Sequence, residues 1–148
     1  MSTAELLDRD PRAVAGELVA AGSEHPDWLD AFATELDQRV ARGQLSRVLA
    51  VWGLSQSQAG ELFGVSRQAV SKWLRSGVPA GRVGALADLA AATDVLVRYV
   101  RRDRIPAVVR RPAEALDGQS LLDLVAVGRT GDVLAACRAM FDFHGVHA

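Results

Sequence analysis

Two helix starts separated by a glycine turn constrain the fold of this chain more than any other feature. Ser55-Gln56-Ser57-Gln58 has the S-x-x-Q form of a capping box, in which the serine hydroxyl accepts a hydrogen bond from the third helical amide. Gly64 can adopt the left-handed conformation that ends this helix, and Ser66 can cap the next one. The pattern predicts two short helices joined by a tight turn.

Small and apolar residues beside this turn predict how the two helices pack. Gly60 stands where two helices that cross at a steep angle require a very small side chain, and Val70 and Trp73 face back toward the first helix. With the caps and the turn glycine, these positions predict a helix-turn-helix. An ordinary pair of antiparallel helices with a polar outer face is the alternative that remains open.

The outer side of the second helix has the chemistry of a DNA-reading surface. Arginine pairs with guanine and glutamine with adenine in the major groove, while serine and lysine side chains contact phosphates. We therefore predict that Arg67 and Gln68 contact base edges. Phosphates are predicted to be held mainly by Ser55, Gln56, Ser71, Lys72 and Arg75. The predicted DNA-binding residues are Ser55, Gln56, Ser66, Arg67, Gln68, Ser71, Lys72 and Arg75.

Charge is unevenly distributed along the chain. Residues 1–50 carry nine acids and five bases, residues 51–111 four acids and ten bases, and residues 112–148 five acids and two bases. A basic middle segment between acidic ends is typical of a local nucleic-acid surface. A solvated arginine face gives the same charge distribution, so charge alone does not decide between them.

Several functional classes are disfavoured by what the sequence lacks. No apolar run approaches the ~20 residues of a membrane span, and the charged N-terminus does not resemble a signal peptide, so we expect a cytoplasmic protein without membrane contact. The single cysteine, Cys137, has apolar neighbours and is predicted to be a packed thiol. The histidines lack cysteine or acid at ligand spacing, and there is no catalytic set or phosphate loop. We therefore expect no metal, no cofactor and no enzymatic activity.

Hydrophobic periodicity predicts an all-α fold, with no alternating strand pattern. One stripe on the second helix, Trp28, Leu29, Phe32, Leu36 and Val40, is predicted to be buried. The first predicted helices cover residues 3–21, 27–42 with Gly43 just after its end, and 45–52. Two short helices follow on either side of Gly64. Beyond them we predict a helix over 80–101, a short one from Ser120 and a last one from about 130 to 143. The predicted domains are an N-terminal helical extension (1–43), a helix-turn-helix domain (44–103) and a small C-terminal helical domain (104–148).

The chain resembles a known family in two segments. GVSRQAVSKWL, residues 64–74, resembles the DNA-binding half of Xre-type bacterial regulators. The segment from Ile105 to Phe141 resembles the toxin-binding C-terminal region of the Xre/MbcA/ParS antitoxins. Asp117 replaces the first glycine of a family glycine pair, Val108 stands where tryptophan is frequent, and Leu121 where proline is common. The matching positions are Ile105-Pro106, Arg110-x-Pro112, Ala115-Leu116, Gly118, Ser120 and Leu122-Asp123-Leu124.

This resemblance implies an antitoxin that blocks a RES-domain toxin, an NAD-consuming enzyme, and represses its own operon. Its implied partners are double-stranded operator DNA and that toxin. We expect toxin contacts from Arg110, Asp123, Phe141, Phe143 and His144, with residues 141–148 reaching toward the NAD site of the toxin. The alternative that stays open is that Phe141 and Phe143 pack back onto the chain's own C-terminal core. A stand-alone transcriptional regulator remains the main alternative, and a protein-binding adaptor that no longer contacts DNA is the third.

We also expect a homodimer, because one helix-turn-helix buries too little surface for specific binding and such repressors read paired half-sites. One of two apolar stripes is predicted to supply the dimer seam. The first lies on the helix over 80–100 and contains Val83, Leu86, Leu89, Leu96 and Val100. The second lies on the last helix and contains Val133, Leu134, Cys137, Met140 and Phe141.

Overall fold

A computed structural model of the chain describes residues 1–142, and every regular element in them is helical, which confirms the predicted all-α fold. Short 3-10 turns occupy Ala80–Arg82, Arg102–Arg104 and Glu114–Leu116. None of the helices in these residues is long and apolar enough to cross a membrane. The α-helices are α1 (Thr3–Leu7), α2 (Pro11–Gly22), α3 (Pro26–Trp52), α4 (Gln56–Phe63), α5 (Arg67–Ser76), α6 (Val83–Tyr99), α7 (Ile105–Arg110), α8 (Leu121–Ala126) and α9 (Thr130–Met140).

The described chain forms two compact units, Met1–Asp37 and a second that begins at Gln38. A single hydrophobic core fills the second unit and includes residues from the segments 44–103 and 104–148. The Trp52 indole donates a hydrogen bond to the Thr93 hydroxyl at 2.9 Å, and that hydroxyl donates to the Leu89 carbonyl at 2.7 Å, so these buried polar groups are satisfied. The predicted domain boundaries at 43/44 and 103/104 stay predictions.

The N-terminal helices differ from the predicted ones. The predicted segment over 3–21 is two helices. The second begins at Pro11 behind Asp10, as the sequence predicts, and the Asp10 carboxylate accepts a hydrogen bond from the Arg12 amide at 3.1 Å. Gly43 was predicted to end a helix, and this is wrong, since α3 continues through it to Trp52. Ala41 and Leu45 are buried on either side, and burying them outweighs the roughly 1 kcal/mol that an internal glycine costs.

The predicted buried stripe on α3 is also wrong. Trp28 is 52% exposed, Phe32 36%, Leu36 47% and Val40 60%, while Leu29 is half-buried. Their spacing is that of an amphipathic helix, as predicted, but α1 and α2 cover this side of α3 only partly and leave a groove open to solvent. The periodicity identified an apolar face correctly and could not identify what lies against it.

Both predicted dimer seams lie in the core of the chain itself. Leu86, Leu89 and Leu96 of α6 and Val133 and Cys137 of α9 are at most 1% exposed, because α6 and α9 pack against each other. Side chains that are already buried cannot form a contact with a second copy. The other members of the two stripes, Val83, Val100, Leu134, Met140 and Phe141, are half-buried, so the predicted dimer seam loses its central residues and otherwise stays a prediction.

Cys137 is a packed thiol, as predicted, and burial raises its pKa from 9.0 to about 11. Above pH 9 the thiol ionises in the unfolded chain while it stays neutral in the folded one. We therefore expect the free energy of unfolding to fall by roughly 1.4 kcal/mol per pH unit between pH 9 and 11 on account of this group. Urea titrations across that range should show a steeper decline for the wild type than for Cys137→Ala, and equal slopes would contradict the prediction.

Candidate nucleic-acid interface and partner surface

Helices α4 and α5 and the turn between them have the local geometry that the sequence predicts. The Ser55 hydroxyl accepts from the Gln58 amide at 3.1 Å, and the Gln58 side chain accepts from the Ser55 amide at 2.9 Å. Gly64 is left-handed, with φ at 66°, and the Ser66 hydroxyl accepts from the Ala69 amide at 3.0 Å. The predicted capping box, turn glycine and second cap are confirmed.

The packing of α5 on α4 explains the need for glycine at position 60. A Cβ atom at Gly60 would lie 2.7 Å from the Val65 carbonyl oxygen, which is closer than Cβ atoms come to non-bonded atoms in proteins. Only glycine therefore lets the turn cross α4 this tightly. Val70 is fully buried and Trp73 is 7% exposed, as predicted. The Trp73 ring meets the Phe63 ring edge to face, with centroids 6.0 Å apart. One side of α5 is therefore held rigidly.

The opposite side of α5 is polar, positively charged and open to solvent. Arg67, Gln68, Lys72 and Arg75 are exposed, while Ser71 is half-buried. α5 carries three cations and no acid, and no carboxylate in residues 1–142 pairs with Arg67 or Lys72. Their donors are free to bind an anion.

The other predicted DNA-binding residues lie at helix starts: Ser55 caps α4, Gln56 is its first residue and Ser66 caps α5. Ser55 and Ser66 are exposed and Gln56 is half-buried. Each of the two serine hydroxyls accepts a cap bond from the backbone. A hydroxyl that accepts one hydrogen bond keeps its own proton, so both can still donate to a phosphate oxygen.

The C-terminal end of α5 is fastened to α3 by contacts that sequence reasoning missed. The Arg42 guanidinium donates to the Arg75 carbonyl at 3.1 Å, and the Val78 amide donates to the Gln38 carbonyl at 3.3 Å. These partners are more than thirty residues apart, and no local pattern marks such pairs. They satisfy backbone groups at the end of α5 and hold its direction.

The predicted toxin-binding residues within residues 1–142 all make contacts inside the chain. The Arg110 guanidinium donates to the carbonyls of Trp52 and Gly53, each at 2.8 Å, and to the Pro106 carbonyl at 2.7 Å. Asp123 accepts from the Ser120 amide at 2.9 Å in a capping box that the sequence predicts. Their contacts with a toxin stay predictions.

Phe141 is the third predicted toxin contact that the structure places. Its ring stacks on Tyr99, with centroids 4.8 Å apart, and is half-buried. Phe143 and His144, the remaining two residues of the predicted set, lie outside the described residues. The predicted role of the tail stays a prediction.

A groove of about 520 Å³ lies between the 3-10 turn at Glu114–Leu116 and α9. Asp117, which lines it, has a left-handed backbone with φ at 55°, followed by Gly118 at φ 81°. Aspartate tolerates this conformation better than most residues, so the turn forms although the first glycine of the family pair is absent. The other lining residues are Ala113, Ala115, Leu116, Gln119, Leu124, Arg129, Asp132, Ala135, Ala136, Ala139 and Met140.

No protein-family model and no curated protein matches the chain. Among solved structures, it is similar to a chain of the M. tuberculosis MbcT-MbcA toxin-antitoxin complex, with a TM-score of 0.56 and 27% sequence identity. The match covers 67% of this chain and 91% of that chain. The chain resembles an MbcA-like antitoxin. This confirms the family resemblance predicted from the sequence, and the MbcA-like structure supports an antitoxin role.

Proposed function

We propose that this chain is the antitoxin of a type II toxin-antitoxin pair and that it also binds DNA and represses its own operon. The similarity to the MbcT-MbcA complex carries this proposal, because that structure joins an antitoxin to its toxin. In this role the chain is a cytoplasmic regulator that acts by binding and has no catalytic activity.

The proposed toxin is a RES-domain enzyme that consumes NAD, as the family resemblance implies. We propose that the groove between the Glu114–Leu116 turn and α9 is the part of the chain that receives it. The groove is concave and mostly apolar, and its charged residues are Asp117 and the Arg129–Asp132 ion pair, whose atoms lie 2.7 Å apart. Apolar concave surfaces with few polar groups are common binding sites.

The proposed DNA-binding surface is the exposed side of α5. It combines a rigidly packed inner side with free arginine, glutamine and lysine side chains, the combination that reading helices use in the major groove. The surface forms without a toxin, and a second copy of the chain would supply the other half-site. That observation favours the second candidate function, a stand-alone transcriptional regulator, if no toxin partner exists.

Co-expression with a RES-domain toxin tests the antitoxin proposal. We expect the wild type to co-purify with the toxin and to prevent the fall in cellular NAD. Ala135→Arg places a large cation in the groove and should lower binding at least tenfold. Ala87→Arg, at an exposed alanine of α6 outside the groove, is the matched control and should bind normally.

Three outcomes distinguish the candidate functions. Loss of protection with Ala135→Arg but not with Ala87→Arg supports the antitoxin proposal. Wild-type protein that binds its own upstream DNA in a mobility-shift assay but neither binds nor neutralises the toxin is a stand-alone regulator. Protein that binds the toxin but no DNA is an adaptor, and the proposed role of α5 is then wrong.

A further inference from the structure

We propose that a basic segment outside the helix-turn-helix contacts phosphates of the DNA that flanks the site read by α5. The basic segment is residues 98–111, which contain six arginines and one acid, Asp103. This inference rests on the proposed DNA binding and adds to it a second surface of the chain. The arginines that we assign to flanking phosphates are Arg102, Arg104 and Arg111.

The basic segment supplies most of the positive charge in the middle of the chain. Residues 51–111 contain ten bases, and only three of them are on α5. Six of the other seven lie in the basic segment. The charge distribution that is typical of a nucleic-acid surface therefore arises largely outside α5.

Three of the six arginines have partners inside the chain. The Arg98 guanidinium lies over the Tyr99 ring, 5.5 Å from its centroid. Arg101 pairs with Asp103 at 3.2 Å, and Arg110 donates to three backbone carbonyls. The fold therefore uses these three charges.

The other three arginines, Arg102, Arg104 and Arg111, are exposed, and no carboxylate in residues 1–142 pairs with them. Cations stabilise the C-terminal end of a helix only within its last turn. Arg102 and Arg104 lie beyond the end of α6 at Tyr99, so this effect does not account for them. Their donors are free to bind an anion.

The outward side of α7 carries two of these free arginines. Successive helical residues are separated by about 100°, which places Arg104 and Arg111 together on the side away from the buried Ile105 and Val109. Ala107 is the one fully exposed apolar residue between them. Protein interfaces have an apolar core, whereas phosphate contacts do not need one. This side therefore suits DNA better than an acidic protein.

The start of α7 lies against the junction of α3 and α4. A Cβ atom at Gly53 would be 3.2 Å from the Pro106 ring, and the Gly53 carbonyl accepts from Arg110 at 2.8 Å. Ser55, the cap of α4, is two residues after Gly53, and Arg104 is two residues before Pro106. Because a residue spans at most about 3.6 Å, the Cα atoms of Arg104 and Ser55 lie within about 22 Å of each other.

This distance determines which part of the DNA the free arginines reach. The first helix of a helix-turn-helix crosses the DNA backbone, and Ser55 and Gln56 at the start of α4 are its predicted phosphate contacts. Base pairs are about 3.4 Å apart, so about 22 Å corresponds to about six base pairs. The phosphates within this distance include those beside the site that α5 reads. Contacts with them add affinity without sequence preference.

Binding titrations with the full chain and its own upstream DNA test this surface. We expect Arg102→Ala/Arg104→Ala to weaken binding roughly tenfold at about 0.15 M KCl and to reduce the slope of log K against log salt concentration by about 2 per bound chain. The preference among operator variants should not change. Arg12→Ala/Arg138→Ala removes two exposed charges elsewhere and is the matched control, which should change neither quantity.

The length of the DNA provides a second test, which a merely structural role would not pass. Removing about ten flanking base pairs from each side of the operator should weaken wild-type binding about tenfold and leave Arg102→Ala/Arg104→Ala nearly unaffected. Arg67→Ala should respond to trimming as the wild type does, because it keeps the flanking contacts. Arg102→Lys/Arg104→Lys should recover the salt slope, since a lysine also binds phosphate as a point charge.

The outcomes separate this inference from the proposed function. If Arg102→Ala/Arg104→Ala binds long DNA as the control does, or loses affinity on trimming as the wild type does, the inference is overturned while the role of α5 stands. If the variant binds DNA normally but loses the toxin, the free arginines hold an acidic protein, and the inference is again overturned. A wild type that binds no DNA would overturn both proposals.

Discussion

Replacing Arg110 by alanine is expected to lower the free energy of unfolding by about 3 kcal/mol. The Arg110 guanidinium donates to the carbonyls of Trp52, Gly53 and Pro106 at 2.7–2.8 Å. Two of these carbonyls are at the C-terminal end of α3, where no helical amide is available to them and where positive charge is favoured. Alanine removes all these donors at once. Equilibrium urea unfolding measures the loss.

Two further variants make the test specific. Arg110→Lys should recover only part of the stability, because an ammonium group does not form the forked bonds of a guanidinium. Arg111→Ala, at the exposed neighbouring position, should stay within about 0.5 kcal/mol of the wild type. An Arg110→Ala protein as stable as Arg111→Ala would contradict the prediction. If such a protein also lost toxin binding, Arg110 would act directly on the toxin.

Local features of the fold could be predicted because the chemistry that creates them spans only a few residues. The capping boxes at Ser55 and Ser120 each join residues three apart, and the left-handed turn at Gly64 depends on that one residue. Gly60 and Val70 could be placed for the same reason, since the turn between them brings them together. The sequence therefore predicted α4, α5 and the start of α8 correctly.

Contacts between distant segments could not be predicted, because periodicity shows that a helix has an apolar face and not what covers it. The α6 face containing Leu86 and Leu96 was assigned to a dimer, yet α9 covers it. The face of α3 containing Trp28 and Phe32 was assigned to the core, yet it is exposed. The two assignments are exchanged between the faces.

Arg110 shows the same limit for a polar residue. Arg110 belongs to the family motif Arg-x-Pro, and its side chain was predicted to contact a toxin. Its hydrogen-bond acceptors at Trp52 and Gly53 are 57–58 residues away in the chain. A guanidinium that ends a distant helix has no local sequence signature, so only the three-dimensional structure shows this role.

Replacing Arg67 and replacing Lys72 by alanine are expected to weaken DNA binding in different ways. Arg67 is at the start of α5, exposed and without a paired carboxylate in the described chain, as a guanine-reading arginine must be. Its loss should cost about 1–3 kcal/mol, a 5- to 150-fold weaker affinity for the specific site, and relax the preference at one base pair. Competition titrations with single-base operator variants measure both effects.

Lys72 lies on the same exposed side and is predicted to bind a phosphate. Removing one phosphate contact should weaken binding to every sequence by a similar factor and reduce the slope of log K against log salt concentration by about 1. Arg138→Ala, an exposed arginine on α9, is the control for the loss of one positive charge and should change neither quantity.

The two effects differ because a base contact depends on the hydrogen-bonding pattern of one base pair, whereas a phosphate is present at every position of the DNA. A variant of Arg67 that lost affinity uniformly would therefore be a phosphate contact, and α5 would lie in the groove in another orientation. If Arg67→Ala left specific binding unchanged, α5 would not be the reading helix, and its exposed positive side would be an ordinary solvated surface.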